Sequence, residues 1–201
     1  MTDCDCNIDV ESRQQSRVLI VLLGINAAMF VVEMVAGVIA ESTGLIADSL
    51  DMLADAVVYG IGLYAVGRAA SGKIRAALAS GYFQMALALI VVLDVSRRAI
   101  LGSEPEPVYM VLIGLVALAA NVVCLALIAR HRDGGVHMRA SWIFSKNDVI
   151  ANVGVMLGGG LVYASGARWP DLVVGTAIAY IVFRGSLAII ADARNEQSLE
   201  T

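Results

Sequence analysis

The sequence predicts an all-α membrane protein with six transmembrane helices, and three observations support this fold class. Hydrophobic residues make up 59% of the 201 residues and charged residues only 16%, whereas charged residues are about a quarter of a soluble domain. Six apolar stretches have or approach the roughly 20 residues that a helix needs to cross a bilayer. The polar segments between these stretches are too short to form a soluble domain of ordinary size.

The six predicted spans are separated by short polar segments. They lie near residues 18–40, 45–67, 77–96, 108–129, 142–163 and 171–191. We expect residues 1–16 to form a cytoplasmic tail, residues 17–194 the six-helix transmembrane domain, and residues 195–201 a short C-terminal tail. The first apolar run is too long for a signal peptide and lacks a small-residue cleavage site, so we expect it to remain as a span.

The positions of Arg and Lys predict the orientation, because cytoplasmic loops are enriched in these residues. With a cytoplasmic N-terminus, the inner segments carry nine Arg and Lys residues, and the outer segments carry only Arg97, Arg98 and Arg168. We therefore expect an inner cell membrane protein with both termini in the cytoplasm. The apolar composition and the net charge of −4 exclude a soluble role in nucleic-acid binding.

Three aspartates, Asp48, Asp51 and Asp55, lie in the second span, which has no other charged residue. A carboxylate at the centre of a bilayer costs roughly 2.5–3.5 kcal/mol, so three cost on the order of 8–10 kcal/mol. Their spacing places all three on one face of a helix. A bound cation, a proton or a water-filled cavity offsets such a cost, and the pattern therefore indicates a cation site.

The fifth span supplies further oxygen ligands at a comparable depth. The predicted ligands are three carboxylates, those of Asp51, Asp55 and Asp148. A fourth carboxylate and two amides are further candidates: Asp48, Asn147 and Asn152. If the second and fifth spans are adjacent, the three carboxylates converge on one ion. Oxygen ligands suit divalent cations such as Mn²⁺, Fe²⁺, Co²⁺ or Zn²⁺. The alternative, protonated aspartates that hydrogen-bond for packing, is disfavoured by four carboxylates on two helices.

Other residues with metal-binding chemistry lie away from this group. Cys4 and Cys6 are either exposed thiols of a disordered cytoplasmic tail, where a disulfide is not expected, or a transient capture site for a thiophilic cation. His131 and His137 lie in a glycine-containing loop and are interpreted as solvated residues rather than ligands. Glu33 in the first span is interpreted as support for the aspartate site rather than as part of an ion path.

Two segments resemble a known family. Ser42-Thr-Gly-Leu-Ile-Ala-Asp-Ser-Leu-Asp-Met-Leu-Ala-Asp55 is similar to the second-span signature of the cation diffusion facilitators, and Met138-Arg-Ala-Ser-Trp142 to their fifth span. The resemblance covers about residues 17–194. It implies the six-span fold, efflux of a divalent metal ion and proton antiport. It also matches Asp51, Asp55 and Asp148, named above, to the family's ligands.

Two features differ from the family pattern. The family's zinc transporters have a histidine four residues before the fifth-span aspartate, where this chain has Phe144, so a tetrahedral four-ligand zinc site is incomplete. About ten residues follow the sixth span, whereas most family members continue into a cytoplasmic domain that helps them to dimerise. The resemblance therefore implies a short form without that domain, in which a homodimer rests on the membrane helices.

The sequence thus predicts a divalent-cation transporter, not an enzyme, with the bilayer, divalent cations and protons as its partners. The alternative is a membrane metal sensor or accessory subunit that binds the ion without moving it, which Phe144 favours. An intramembrane hydrolase with paired aspartates is disfavoured, because neither aspartate lies beside a glycine-rich catalytic loop.

Overall fold

The computed structural model describes residues 3–65, 70–130 and 136–200, which form six α-helices. They are α1 (Asp3–Ile39), α2 (Thr43–Ala65), α3 (Ala70–Leu101), α4 (Pro107–Ala129), α5 (Val136–Ser165) and α6 (Trp169–Glu200). Within these helices the description leaves out the side chains of residues 3–12, 15, 65, 70–73, 76, 136–141, 143–144, 147 and 199–200. The predicted all-α class is confirmed, as are the number and order of the helices in the described ranges.

Five of the described helices are long and apolar enough to cross a membrane. The qualifying segments are Ser16–Ile39, Ala77–Leu101, Pro107–Ala129, Asp148–Ser165 and Trp169–Ser198. The exception is α2, which has 23 residues and is therefore long enough. Any 18-residue stretch of α2 includes all three of its aspartates, so charge rather than length sets this helix apart.

The helix with the aspartates occupies the centre of the bundle, because α2 contacts each of the other five helices. Apolar side chains of α2 such as Leu45 and Ala54 are fully buried in the main core cluster. Val91 of α3, Val155 of α5 and Ile178 of α6 belong to the same cluster. The surrounding apolar helices thereby keep the polar groups of α2 away from lipid.

A tight turn joins α1 to α2, as predicted. Glu41 adopts a left-handed backbone conformation, with φ of 48°. The two helices approach so closely that a Cβ on Gly37 would lie 2.9 Å from Ile46 Cγ1. Ser42 begins α2 as an N-cap, since its Oγ accepts a hydrogen bond from Leu45 N at 3.1 Å.

Four helices, α1, α3, α5 and α6, extend by five or more residues beyond their predicted spans. The segment 67–77 was expected to be a loop, but α3 begins at Ala70. The predicted tails likewise include helix, since α1 begins at Asp3 and α6 continues to Glu200. Ala, Lys and Arg at the start of α3, and Glu, Gln and Arg in residues 11–15 of α1 and 194–197 of α6, are favourable in a helix, so these helices continue beyond the apolar residues.

The glycines of α5 contact two neighbouring helices, whereas the sequence, with Gly154 and Gly158 four residues apart, predicts that these two glycines share one close helix contact. A Cβ on Gly158 would lie 2.8 Å from Val174 Cγ2 of α6, and a Cβ on Gly159 would lie 2.8 Å from Met110 Cβ of α4. Gly154, expected to share this role with Gly158, has no atom within 4 Å of such a Cβ. The close contacts of α5 therefore involve two successive glycines, Gly158 towards α6 and Gly159 towards α4.

Candidate metal centre

The C-terminal half of α2 faces α5 through a pair of carboxyl groups. Asp55 and Asp148 are 3% and 7% exposed and lie within hydrogen-bonding reach of each other. The hydroxyl of Tyr59, one turn after Asp55, donates to Asp55 Oδ2 at 3.2 Å. The same hydroxyl lies 3.2 Å from Ser145 Oγ, which precedes Asp148 by three residues. The second and fifth spans are therefore adjacent, which is the condition that the sequence analysis set, and two carboxyls and two hydroxyls meet there.

Asp51 lies beside this pair but faces another part of the bundle. Its half-buried side chain lines a small cavity between α2, α3 and α6, with room for about one water molecule, together with Leu87 and Ile178. Among the described residues, no three His, Cys, Asp or Glu side chains are close enough together to hold one ion. The predicted convergence of Asp51 with Asp55 and Asp148 stays a prediction that requires Asp51 to turn towards α5.

A second carboxyl pair occupies the N-terminal half of α2, on the side of α1. Asp48 and Glu33 are 1% and 0% exposed and lie within hydrogen-bonding reach of each other. Both oxygens of Glu33 and Oδ2 of Asp48 receive no hydrogen bond from any described residue. Asp48, predicted as a further ligand of the α2–α5 site, is therefore paired with α1 instead.

Asn152 adds an amide to the α5 side, one turn after Asp148. Its Nδ2 donates to the backbone oxygen of Asp148 at 2.8 Å, and its buried Oδ1 has no donor among the described residues. Six residues of the sequence analysis lie outside the described residues or side chains: Cys4, Cys6, His131, His137, Phe144 and Asn147.

Sequence reasoning missed the two hydroxyl groups of the α2–α5 pair. Tyr59 follows Asp55 by four residues, a spacing that places two side chains on the same helical face and would have identified it. Ser145 precedes Asp148 by three residues, but serine is too common in membrane helices for this spacing to indicate a role.

A further buried carboxylate, Asp171, joins the N-termini of α6 and α2. Ser42 Oγ donates to Asp171 Oδ1 at 2.6 Å, and the backbone N–H groups of Thr43 and Gly44 donate to its two oxygens at 2.6 and 2.9 Å. A carboxylate is favoured here because the N-terminus of a helix carries positive partial charge. The close approach depends on Gly175, whose Cβ would lie 2.7 Å from Thr43 Cγ2.

Paired carboxyl groups inside a bundle of membrane helices are typical of membrane proteins that bind ions, because such groups are costly in a membrane and mark ion pathways. The comparison with protein families makes the class specific. Residues 19–196 match the cation efflux transmembrane domain, and the chain belongs to the cation efflux family. Membership implies metal cation transport by a multi-pass membrane protein that is not an enzyme. No curated protein matches the chain.

Proposed function

We propose that the protein exports divalent transition-metal ions from the cytoplasm in exchange for protons, and that the ion binds between α2 and α5. The Asp55–Asp148 pair carries this proposal. Two acidic groups from different helices face each other in the interior of a cation efflux domain. A dication placed between them neutralises both negative charges and compensates the two carboxylates for the hydration that they lose on burial.

The remaining ligands follow from the residues around the pair. Asp51 reaches the ion after a rotation of its side chain, and the free Oδ1 of Asn152 offers a neutral oxygen. The groups bonded to the pair or one turn away offer oxygen ligands from carboxyl, hydroxyl and amide groups. A sulfur among the described residues nearby is the Cys124 thiol of α4, which belongs to the same buried cluster as Tyr59. Oxygen ligands favour Mn²⁺, Fe²⁺ or Co²⁺, whereas a closed zinc site usually includes nitrogen or sulfur.

Exchange for protons follows from the charge of the empty site. When the ion leaves, two carboxylates in contact repel each other, and the uptake of a proton removes the repulsion. Protons that enter from the outer side thereby drive the export of the ion. The Arg and Lys distribution supports cytoplasmic termini in an inner membrane. We also propose a homodimer formed through the membrane helices.

Purified protein in liposomes tests this proposal. The uptake of Zn²⁺, Co²⁺, Fe²⁺ and Mn²⁺ is measured with and without an imposed pH gradient. We expect uptake of one or two of these ions, driven by the gradient and absent from Asp55→Ala. The control Asp192→Ala changes an exposed aspartate of α6 and should transport like the wild type. Metal binding without uptake of any ion would contradict transport and favour a sensor or accessory subunit.

A further inference from the structure

We propose that Glu33 and Asp48 form a second divalent-cation site, between α1 and α2 and separate from the Asp55–Asp148 pair. The occupant is the transported ion, so this inference rests on the proposed function. The site is bounded by α1, on which Glu33 lies, and by the N-terminal half of α2, on which Asp48 lies.

The hydrogen bonding of this pair indicates a ligand. Three of its four carboxyl oxygens are buried and have no donor among the described residues. A buried carboxylate is costly unless it is paired with charge or hydrogen bonds. Asp171 shows that this fold supplies donors to a buried carboxylate where it serves the packing, since three groups donate to it. A cation between Glu33 and Asp48 would satisfy the oxygens that the protein leaves free.

Two buried amides continue the unsatisfied polar surface along the contact between α1 and α4. Asn26 Nδ2 lies 3.9 Å from Cys124 Sγ of α4, while its Oδ1 has no partner among the described residues. Asn121 precedes Cys124 by one turn and follows Ala117, which packs against Met29 of α1. Asn121 interrupts the apolar fourth span, and the sequence therefore favours a hydrogen bond to a neighbouring helix. That expectation is wrong for the described residues, because both side-chain amide atoms of Asn121 lack a partner among them. The unsatisfied polar groups of α1 therefore extend from Glu33 towards α4, over about two helical turns.

The two carboxyl pairs are stacked along α2. Asp48 and Asp55 are seven residues apart, which corresponds to about 10 Å of helix axis, and Asp51 lies between them. Two dications at this separation repel each other in a protein interior. We therefore expect the second ion to bind more weakly than the first and to assist its release. The Glu33–Asp48 site is a relay between the α2–α5 site and the end of α2 that Asp171 closes.

Equilibrium dialysis with Co²⁺ tests the second site in the purified full chain. The wild type should show two phases of Co²⁺ binding. The variants Glu33→Gln and Asp48→Asn should each lose the weaker phase, and Asp148→Asn the tighter one. Both substitutions of the pair keep the shape of the side chain, and gel filtration with circular dichroism verifies folding. Glu106→Gln, at an exposed glutamate, is the matched control and should bind like the wild type.

A single phase in the wild type would overturn the second site without any variant. Unchanged Co²⁺ binding in both Glu33→Gln and Asp48→Asn would also overturn it and would indicate a proton shared between the two carboxyls. Neither result affects the proposed function, which fails only if uptake into liposomes is absent or survives Asp55→Ala. Conversely, loss of the weaker phase in the two variants would support the second site even if liposome uptake were absent.

Discussion

Asp171 and Asp48 are buried aspartates, 0% and 1% exposed, but their surroundings differ. Asp171 accepts three hydrogen bonds from the beginning of α2, two of them from backbone N–H groups. Asp48 lies one and a half turns further along the same helix and faces Glu33, another acceptor. Burial alone therefore does not distinguish a carboxylate that holds helices together from one that awaits a cation. What differs between the two described carboxylates is the number of hydrogen-bond donors around each.

Asp55 lies between these extremes. Among the described residues, one group donates a hydrogen bond to Asp55, the Tyr59 hydroxyl, and Asp55 faces the Asp148 carboxyl. One donor fixes the orientation of the side chain while leaving oxygens for an ion. The hydrogen bonds of Asp171 thus stabilise one end of the bundle. In the middle of α2, the described hydrogen-bond donors are fewer than the carboxyl oxygens that could accept them.

The largest expected effect is on transport. Asp148→Asn keeps the shape of the side chain and removes its charge, so ion uptake should fall at least about 100-fold, equivalent to about 2.7 kcal/mol. The stability should be unchanged or higher, because a buried acidic group is gone. Initial rates of uptake into liposomes measure the effect, with Asp192→Asn as control. An uptake rate like that of the wild type would contradict the assignment of Asp148 to transport and would remove its contrast with Asp171, which is assigned to stability.

The next largest effect is a loss of folding stability when Asp171, the carboxylate with three donors, is replaced. Asp171→Ala leaves the Ser42 hydroxyl and the N–H groups of Thr43 and Gly44 without their acceptor, so the free energy of unfolding should fall by about 3 kcal/mol or more. Denaturant unfolding in detergent measures the loss. Asp192→Ala should unfold like the wild type. If both variants unfold alike, Asp171 does not hold α6 to α2.

A smaller loss of stability should follow when an added methyl group separates α6 from the beginning of α2. In Gly175→Ala the new Cβ meets Thr43 at 2.7 Å, and such overpacking costs about 1–3 kcal/mol. Gly160→Ala is the matched control, because no atom lies within 4 Å of its Cβ, and it should be neutral or stabilising by about 0.5–1 kcal/mol. Equal thermal unfolding of the two variants would contradict the close approach of α6.

The smallest expected effect is on ion affinity, when Asp55 loses its described donor and, like Asp48, is left facing another carboxyl group. Tyr59→Phe removes the only described hydroxyl that donates to Asp55, which is worth about 1 kcal/mol. Because the empty carboxylate loses this stabilisation, the ion should bind about fivefold more tightly, seen as a lower apparent KM for uptake. Tyr180→Phe, at an exposed tyrosine of α6, should leave KM unchanged. A higher KM in Tyr59→Phe would mean that the hydroxyl positions the ion instead.

Much of the fold is predictable from the sequence because apolar length and charge determine which segments cross a bilayer. The short polar segment 41–44 predicts a tight turn between the first two spans, and the structure has it. Asp94 precedes Arg97 and Arg98 by three and four residues, a spacing that predicts an ion pair, and both pairs are present at 2.8 and 2.7 Å. The helix ends are not predictable in this way. Hydrophobicity locates the edge of the membrane, whereas a helix such as α3 continues beyond that edge.

The partners of the aspartates depend on packing that spacing does not reveal. The three residues were predicted on one face of α2, but that face meets α1 beside Asp48 and α5 beside Asp55, while Asp51 lines the cavity towards α3 and α6. Neighbouring helices cross at an angle, so one face contacts different helices at different depths. The sequence therefore identifies acidic groups of the candidate site but not how they divide into pairs.

The most direct test applies one substitution, Asp→Asn, to Asp55 and to Asp171, and measures uptake and unfolding on the same preparations. Asp55→Asn should unfold like the wild type and take up no metal ion. Asp171→Asn should lose stability, because the amide cannot accept as a carboxylate does, while the folded fraction still transports. A stable but inactive Asp171→Asn together with an active Asp55→Asn would contradict the assignment of transport to the donor-poor carboxyls of α2.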